Sequence, residues 1–281
     1  MKLAVSNIAW AAGERLEAYR ILTESGITGL EIAPGLFFHT AEDPFAPDTA
    51  AAVSALAELR DAGLELVSMQ SLLFGVTGAA LFGRQEERAA FETGMTRAIE
   101  LAGRFAIPNC VFGSPRQRIV PDGLAMVTAR EQAAEVFRRL GERAANLGTA
   151  IAIEANPARY GTNFLTRLDE AQAFVAEVDH PAIRLILDLG AAHVNGEFGA
   201  VPARIPALAE RLNHVHVSEP DLAPAPGEAT DLVPVLRKLA AEGYARAVSI
   251  EMVRPAGGLF DLEAAVMRLV RAADEARSAH A

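Results

Sequence analysis

Four residues of types that do chemistry each end a short apolar run: Glu154 in IAIEANP, Asp188 in LILDLG, His216 in LNHVHVSEP and Glu251 in VSIEM. Each acid alone has an ordinary explanation, because a carboxylate ending a strand often caps the next helix or pairs with an arginine. Three acids converging on one partly dry pocket are different. They repel one another and lose hydration, so without a compensating cation some would have to stay protonated. A divalent ion removes that difficulty. Three carboxylates and one imidazole suit Mn2+ first, with Mg2+, Co2+ and Zn2+ as alternatives, and so oxygen-rich a set argues against a structural zinc site. Cys110 is the only cysteine, so neither thiolate ligation nor a disulfide framework is available.

The run LNHVHVSEP carries a second histidine, His214. Residues i and i+2 of a strand face the same way, so His214 and His216 share a side. If that side is an interior, His216 is nearer the C-terminal end and is the candidate ligand. His214 is then a packed, hydrogen-bonded histidine one layer deeper. Glu219, three residues after His216, is expected to orient it from behind.

What must position these residues is a set of parallel strands. Short apolar, β-branched runs alternate with long amphipathic stretches, the pattern of βα units. Eight such runs occur: KLAVSNIA, GLEIAP, ELVSMQS, CVFGSP, AIAIEAN, RLILDLG, HVHVSEP and AVSIEMV. The stretches between them, such as ERLEAYRILTES and REQAAEVFRRLGERAANLG, repeat apolar residues at helical spacing, and several helices are expected to stop at Gly26, Gly63, Gly148 and Gly243. Eight repeats predict an α/β fold, a single (β/α)8 TIM barrel forming one domain over residues 1–281, with its active site at the C-terminal ends of the strands. A doubly wound sheet competes, but neither G-x-G-x-x-G nor G-x-x-x-x-G-K-[ST] is present. The polar residues at the eight strand ends are then Asn7, Glu31, Gln70, Ser114, Glu154, Asp188, His216 and Glu251.

Composition narrows the partners. The 281 residues carry 26 basic and 36 acidic side chains, a net charge of −10, which disfavours nucleic acid and anionic membranes. No apolar stretch reaches the roughly 18 residues of a membrane helix, and the amino terminus reads as a first strand with no cleavage-type segment. One cysteine fits a reducing cytosol, so a cytoplasmic protein is expected.

With these motifs the chain resembles the sugar phosphate isomerase/epimerase superfamily with a xylose isomerase-like barrel. That group includes ketose 3-epimerases, hydroxypyruvate isomerase, inosose dehydratase and endonuclease IV. The likeness covers nearly the whole chain and is most specific in IAIEANPARYGTNFLTRLDEA, LILDLG, HVHVSEP and SIEM. It implies one divalent ion held by Glu154, Asp188, His216 and Glu251, the second histidine of HVHV being the ligand. Many members carry a histidine three residues after the strand-six aspartate, where this chain has Ala191; the nearest histidine is His193. The additional histidines and acid of the endonuclease branch are not found here.

The resemblance also implies a reaction that begins by removing a proton next to a carbonyl. A metal-stabilised enediolate forms, with Glu154 and Glu251 as acid and base on opposite faces of a small sugar, keto-sugar or polyol. Inversion at one carbon gives an epimerase and return of the proton to the neighbouring carbon an isomerase. Loss of a β-hydroxyl gives the alternative, a dehydratase of a keto-cyclitol or keto-acid, and a sugar-binding barrel without catalysis is a third reading. Substrate contacts are expected from Glu31, Gln70, Asn156 and His193, with Arg116, Arg118 and Arg254 for a carboxylate or phosphate. Asn7 is a further neutral partner, and Trp10 and Phe74 are candidates for stacking on a sugar. Barrels of this kind often self-associate, and the apolar SLLFGVTGAALFG (71–83) reads as an interface or a lid.

Overall fold

The structure is a computed structural model and describes residues 1–278. Eight strands close on themselves in sequence order. They are β1 Lys2–Ser6, β2 Gly29–Ile32, β3 Glu65–Met69, β4 Cys110–Phe112, β5 Ile151–Ile153, β6 Ile183–Asp188, β7 Leu212–Val217 and β8 Ala247–Ile250. A long helix follows each: α1 Arg15–Glu24, α2 Thr49–Asp61, α3 Gln85–Arg104, α4 Met126–Asn146, α5 Leu168–Val178, α6 Val201–Leu208, α7 Ala229–Ala241 and α8 Leu259–Ser278. The expected (β/α)8 barrel is the fold. Each strand stops short of its apolar run, so Glu31 and Asp188 lie within strands while Glu154 and Glu251 stand one residue beyond theirs.

The helix stops follow from backbone chemistry. Gly26, Gly63, Gly148 and Gly243 take φ of +77°, +73°, +72° and +71°, a left-handed region that a side chain disfavours. At the other end of a helix, the Asp48 carboxylate accepts from Ala51 N at 2.8 Å and starts α2. No helix among the described residues is long and apolar enough to cross a membrane.

Contacts divide the chain into two compact units, Met1–Val67 with Asp188–Ala281, and Ser68–Leu187. Both divisions fall inside strands, β3 and β6. In the first unit β1 pairs in parallel with β2 (Ser6↔Glu31) and β8 (Val5↔Ile250), and β8 pairs with β7 (His216↔Ser249). Ala4, Val67 and Ala247 pack together as a buried cluster. Alternation along each strand puts Ser6, Ser249 and Glu251 on that same face. The residues paired around His216 are small: Ala4, Gly29 and Ser249. Gly29 must be small, since a Cβ there would stand 2.8 Å from the Ala4 Cβ and 2.9 Å from the Leu3 carbonyl oxygen. This leaves room for two imidazoles and a carboxylate that are wholly buried.

In the second unit β4 pairs with β3 (Met69↔Cys110) and β5 (Val111↔Ala152), and β5 pairs with β6 (Ile153↔Leu185). Val111, Ala152 and Ile186 form a buried cluster. Two residues further along each strand, on the same face, come Gly113 and Glu154, and after Ile186 the chain reaches Asp188.

Candidate metal centre

The first unit brings together three of the expected ligands. His216, with no exposed surface, places Nδ1 3.2 Å from Glu251 Oε2 and 3.5 Å from Asp188 Oδ2. Its other nitrogen, Nε2, lies 3.1 and 3.0 Å from the two carboxylate oxygens of Glu31. Glu31 is also wholly buried, and His214 Nε2 lies 3.3 Å from its Oε1. Burial raises the cost of ionising Glu31, but the charges of His216 and His214 outweigh it and hold the carboxyl well below its usual range. In place of a substrate hydroxyl, Glu31 thus engages both histidines.

That pairing tests whether these residues fit a cation. With Nε2 committed to Glu31, Nδ1 faces two carboxylates, and the repulsion between those two acids is what a cation held among them would relieve. The donor set also suits a hard or borderline divalent ion, three carboxylates and one imidazole whose far nitrogen is held by an acid.

Asp188 does two things at once. One carboxylate oxygen accepts from Ala191 N and caps the short helix Leu189–Val194, while Oδ2 faces His216. Capping therefore occupies one oxygen of the side chain and leaves the other turned to the histidine. Ser218 Oγ donates to Asp188 Oδ2 at 3.0 Å and accepts from Gly190 N at 2.8 Å, fixing the carboxylate. Ser218 was not singled out by motif. The signal lay in its parity, two residues beyond His216 on the same face.

Glu154 belongs to the second unit, 8% exposed at the end of β5. Asn156 Nδ2 donates to its Oε2 at 2.8 Å, and Gly113 lies so close that a Cβ there would meet this oxygen at 2.3 Å. Asn156 therefore orients the acid, where the sequence suggested a substrate contact. Gln70 is nearly buried just past β3.

The remaining expected contacts have other partners. Arg254 is exposed and grips Glu14 through two bonds of 2.6 and 2.7 Å; this hydrogen bond holds Glu14 down at about 2. Arg118 is wholly buried, Nη1 donating to the Glu154 main-chain oxygen at 2.8 Å, whereas Arg116 is exposed. His193 stacks on Phe198 with ring centroids 3.8 Å apart, and its Nε2 is 3.9 Å from Glu219. Glu219 in turn accepts from Gly227 N, so the acid behind His216 is Glu31. Asn7 bonds both main-chain groups of Ala33, which makes it a loop tie. Trp10 is buried edge-on to Tyr19, and Phe74 is exposed.

The sequence matches the family described as Xylose isomerase-like TIM barrel over residues 19–274. The chain belongs to that family. Solved structures with this barrel superpose over nearly all of it. A 3-keto-D-glucoside 4-epimerase from E. coli is 18% identical with a TM-score of 0.77, covering 96% of this chain and 99% of that one. A D-psicose 3-epimerase from Clostridium cellulolyticum H10, solved with D-tagatose, is 17% identical with a TM-score of 0.73 over 99% and 97%. An L-ribulose 3-epimerase is 16% identical with a TM-score of 0.75 over 100% and 97%. A search of curated protein sequences returns no match.

Proposed function

We propose that this xylose isomerase-like barrel is a divalent-metal-dependent epimerase or isomerase of a keto-sugar. The observation that carries the reading is the donor set of the first unit, where the His216 ring faces the Glu251 and Asp188 carboxylates at 3.2 and 3.5 Å, with Glu154 assigned as the fourth donor. Three structurally similar proteins being keto-sugar epimerases supports the substrate class. We assign Mn2+ as the ion, with Mg2+, Co2+ and Zn2+ as alternatives.

When bound, the ion would polarise the substrate carbonyl and lower the cost of the charge that develops on deprotonation, typically by several kcal/mol. The protein's part is positional and protolytic. Asn156 holds the Glu154 carboxylate through Oε2, and Glu154 is assigned to take the proton from the carbon beside the carbonyl. Glu251, on its own strand end, is assigned the return of a proton from the other face. Such positioned carboxylates each contribute about 10²- to 10⁴-fold. Glu31 keeps the His216 ring fixed while this happens, and Ser218 does the same for Asp188.

The test is solvent-deuterium incorporation into D-psicose, L-ribulose and 3-keto-D-glucosides in the presence of Mn2+. We expect exchange at one carbon without loss of water, abolished in Glu154→Gln and Glu251→Gln proteins that remain folded. Full exchange in Glu251→Gln would remove its role as acid or base, and a conjugated absorbance in place of exchange would make the protein a dehydratase.

A further inference from the structure

The segment Phe112–Arg118, FGSPRQR, holds a charge that the proposed centre does not employ. Arg118 leads the fully buried side chains in size. A buried guanidinium ordinarily faces a carboxylate or several acceptors, because its desolvation costs several kcal/mol. Here one hydrogen bond is made, from Nη1 to the main-chain oxygen of Glu154, and the Phe112 ring centroid lies 5.7 Å from the guanidinium carbon. Nε and Nη2 have no hydrogen-bond partner among the described residues. Burial pulls the group down to about 10, which still leaves it charged at neutral pH. For folding alone, an apolar side chain of the same length would serve this position better.

The surroundings say what the arginine is for. Its segment is braced from both sides: Leu81 N donates to Gln117 O at 2.7 Å, and Asn163 bonds both main-chain groups of Val120 at 2.8 and 2.9 Å. At its start, Gly113 gives the Glu154 carboxylate its space, and Ser114 turns the chain at φ +42°, a left-handed conformation that serine rarely takes. From this rigid support Arg118 reaches the one main-chain oxygen that belongs to the acid. Asn156 reaches its carboxylate.

We propose that Arg118 is a positioning residue for Glu154, anchoring its main chain from inside the fold so that the carboxylate is presented in a single orientation between Gly113 and Asn156. This rests on the reading of Glu154 as a metal-holding acid. It replaces the expectation that Arg118 binds a substrate anion, since the guanidinium is enclosed and its described bond is to the backbone.

The experiment compares the full-length wild type with Arg118→Met, read by Co2+ titration, thermal unfolding and turnover of whichever ketose exchanges deuterium. The methionine variant is expected to unfold at the wild-type temperature or above, because an incompletely paired charge is gone. It should bind Co2+ about 10-fold more weakly or worse, and lose about 100-fold in kcat with KM within a few-fold. Arg118→Lys, which keeps one donor, should recover part of the affinity. Gly113→Ala, which pushes on the carboxylate and leaves Arg118 untouched, should weaken Co2+ as well. Wild-type Co2+ affinity in Arg118→Met overturns the inference, and so does a loss of affinity that merely follows a fall in Tm. A wild-type protein that binds no Co2+ removes the centre and this inference together, whereas equal binding by both proteins removes the inference alone.

Discussion

The two nitrogens of His216 keep different company, and the difference assigns them different work. Nε2 is committed to Glu31, so the ring cannot flip without breaking a buried pair, and Nδ1 is left facing Glu251 and Asp188. Removing one partner of such a pair typically costs about 3–5 kcal/mol in stability, and an outer acid behind a ligating histidine about 10- to 100-fold in metal affinity. Glu31→Ala should show both, by urea unfolding and Co2+ titration; unchanged Co2+ affinity would mean the ring is held by packing alone. The pair also sets an acid limit. Because the Glu31 carboxyl is held below its ordinary value of 4.5 in the folded state, its contribution is fully present above that value and is lost as pH falls beneath it. Below about pH 4.5, wild-type Tm should therefore fall more steeply than that of Glu31→Gln.

At the scale of elements, the barrel was readable because each strand is an apolar, β-branched run that needs no partner to be recognised. The clustering of Asp188, His216 and Glu251 was readable for a related reason: an acid or histidine that ends such a run has a face fixed by alternation. What alternation cannot tell is which partner a side chain chooses. Glu31 and His216 are 185 residues apart in sequence, so their bond was invisible, and Glu219 was the nearer but wrong acid. Arg118 was read as a substrate-binding arginine because charge ordinarily predicts exposure, and nothing local marks the exception. Gly29 is a further case, a glycine with no turn to explain it. The wall of small residues around His216 requires it, so Gly29→Ala should cost about 1–3 kcal/mol by overpacking. Chemical denaturation measures this, and a neutral result would show that β1 and β2 can separate slightly without loss.

For the whole molecule, one thiol reports on integrity. Cys110 lies wholly buried in β4, and burial pushes it up to about 12 from an ordinary 9. The folded thiol keeps its proton where the unfolded one has lost it, so stability should fall as pH rises above 9. The loss is about 1.4 kcal/mol per pH unit more in the wild type than in Cys110→Ala. At pH 8 a thiol reagent should label the native protein only as fast as it unfolds; rapid labelling would mean β4 opens locally. The division of labour within Asp188 reaches further than the site itself. Few side chains can start a helix with one oxygen and offer the other to a cation: asparagine keeps the first ability and gives up the charge, and glutamate reaches too far for the first. Random mutagenesis selected for activity should therefore return aspartate at this position even when the neighbouring codons drift freely. Thus the geometry of a helix start restricts how the proposed metal chemistry could evolve.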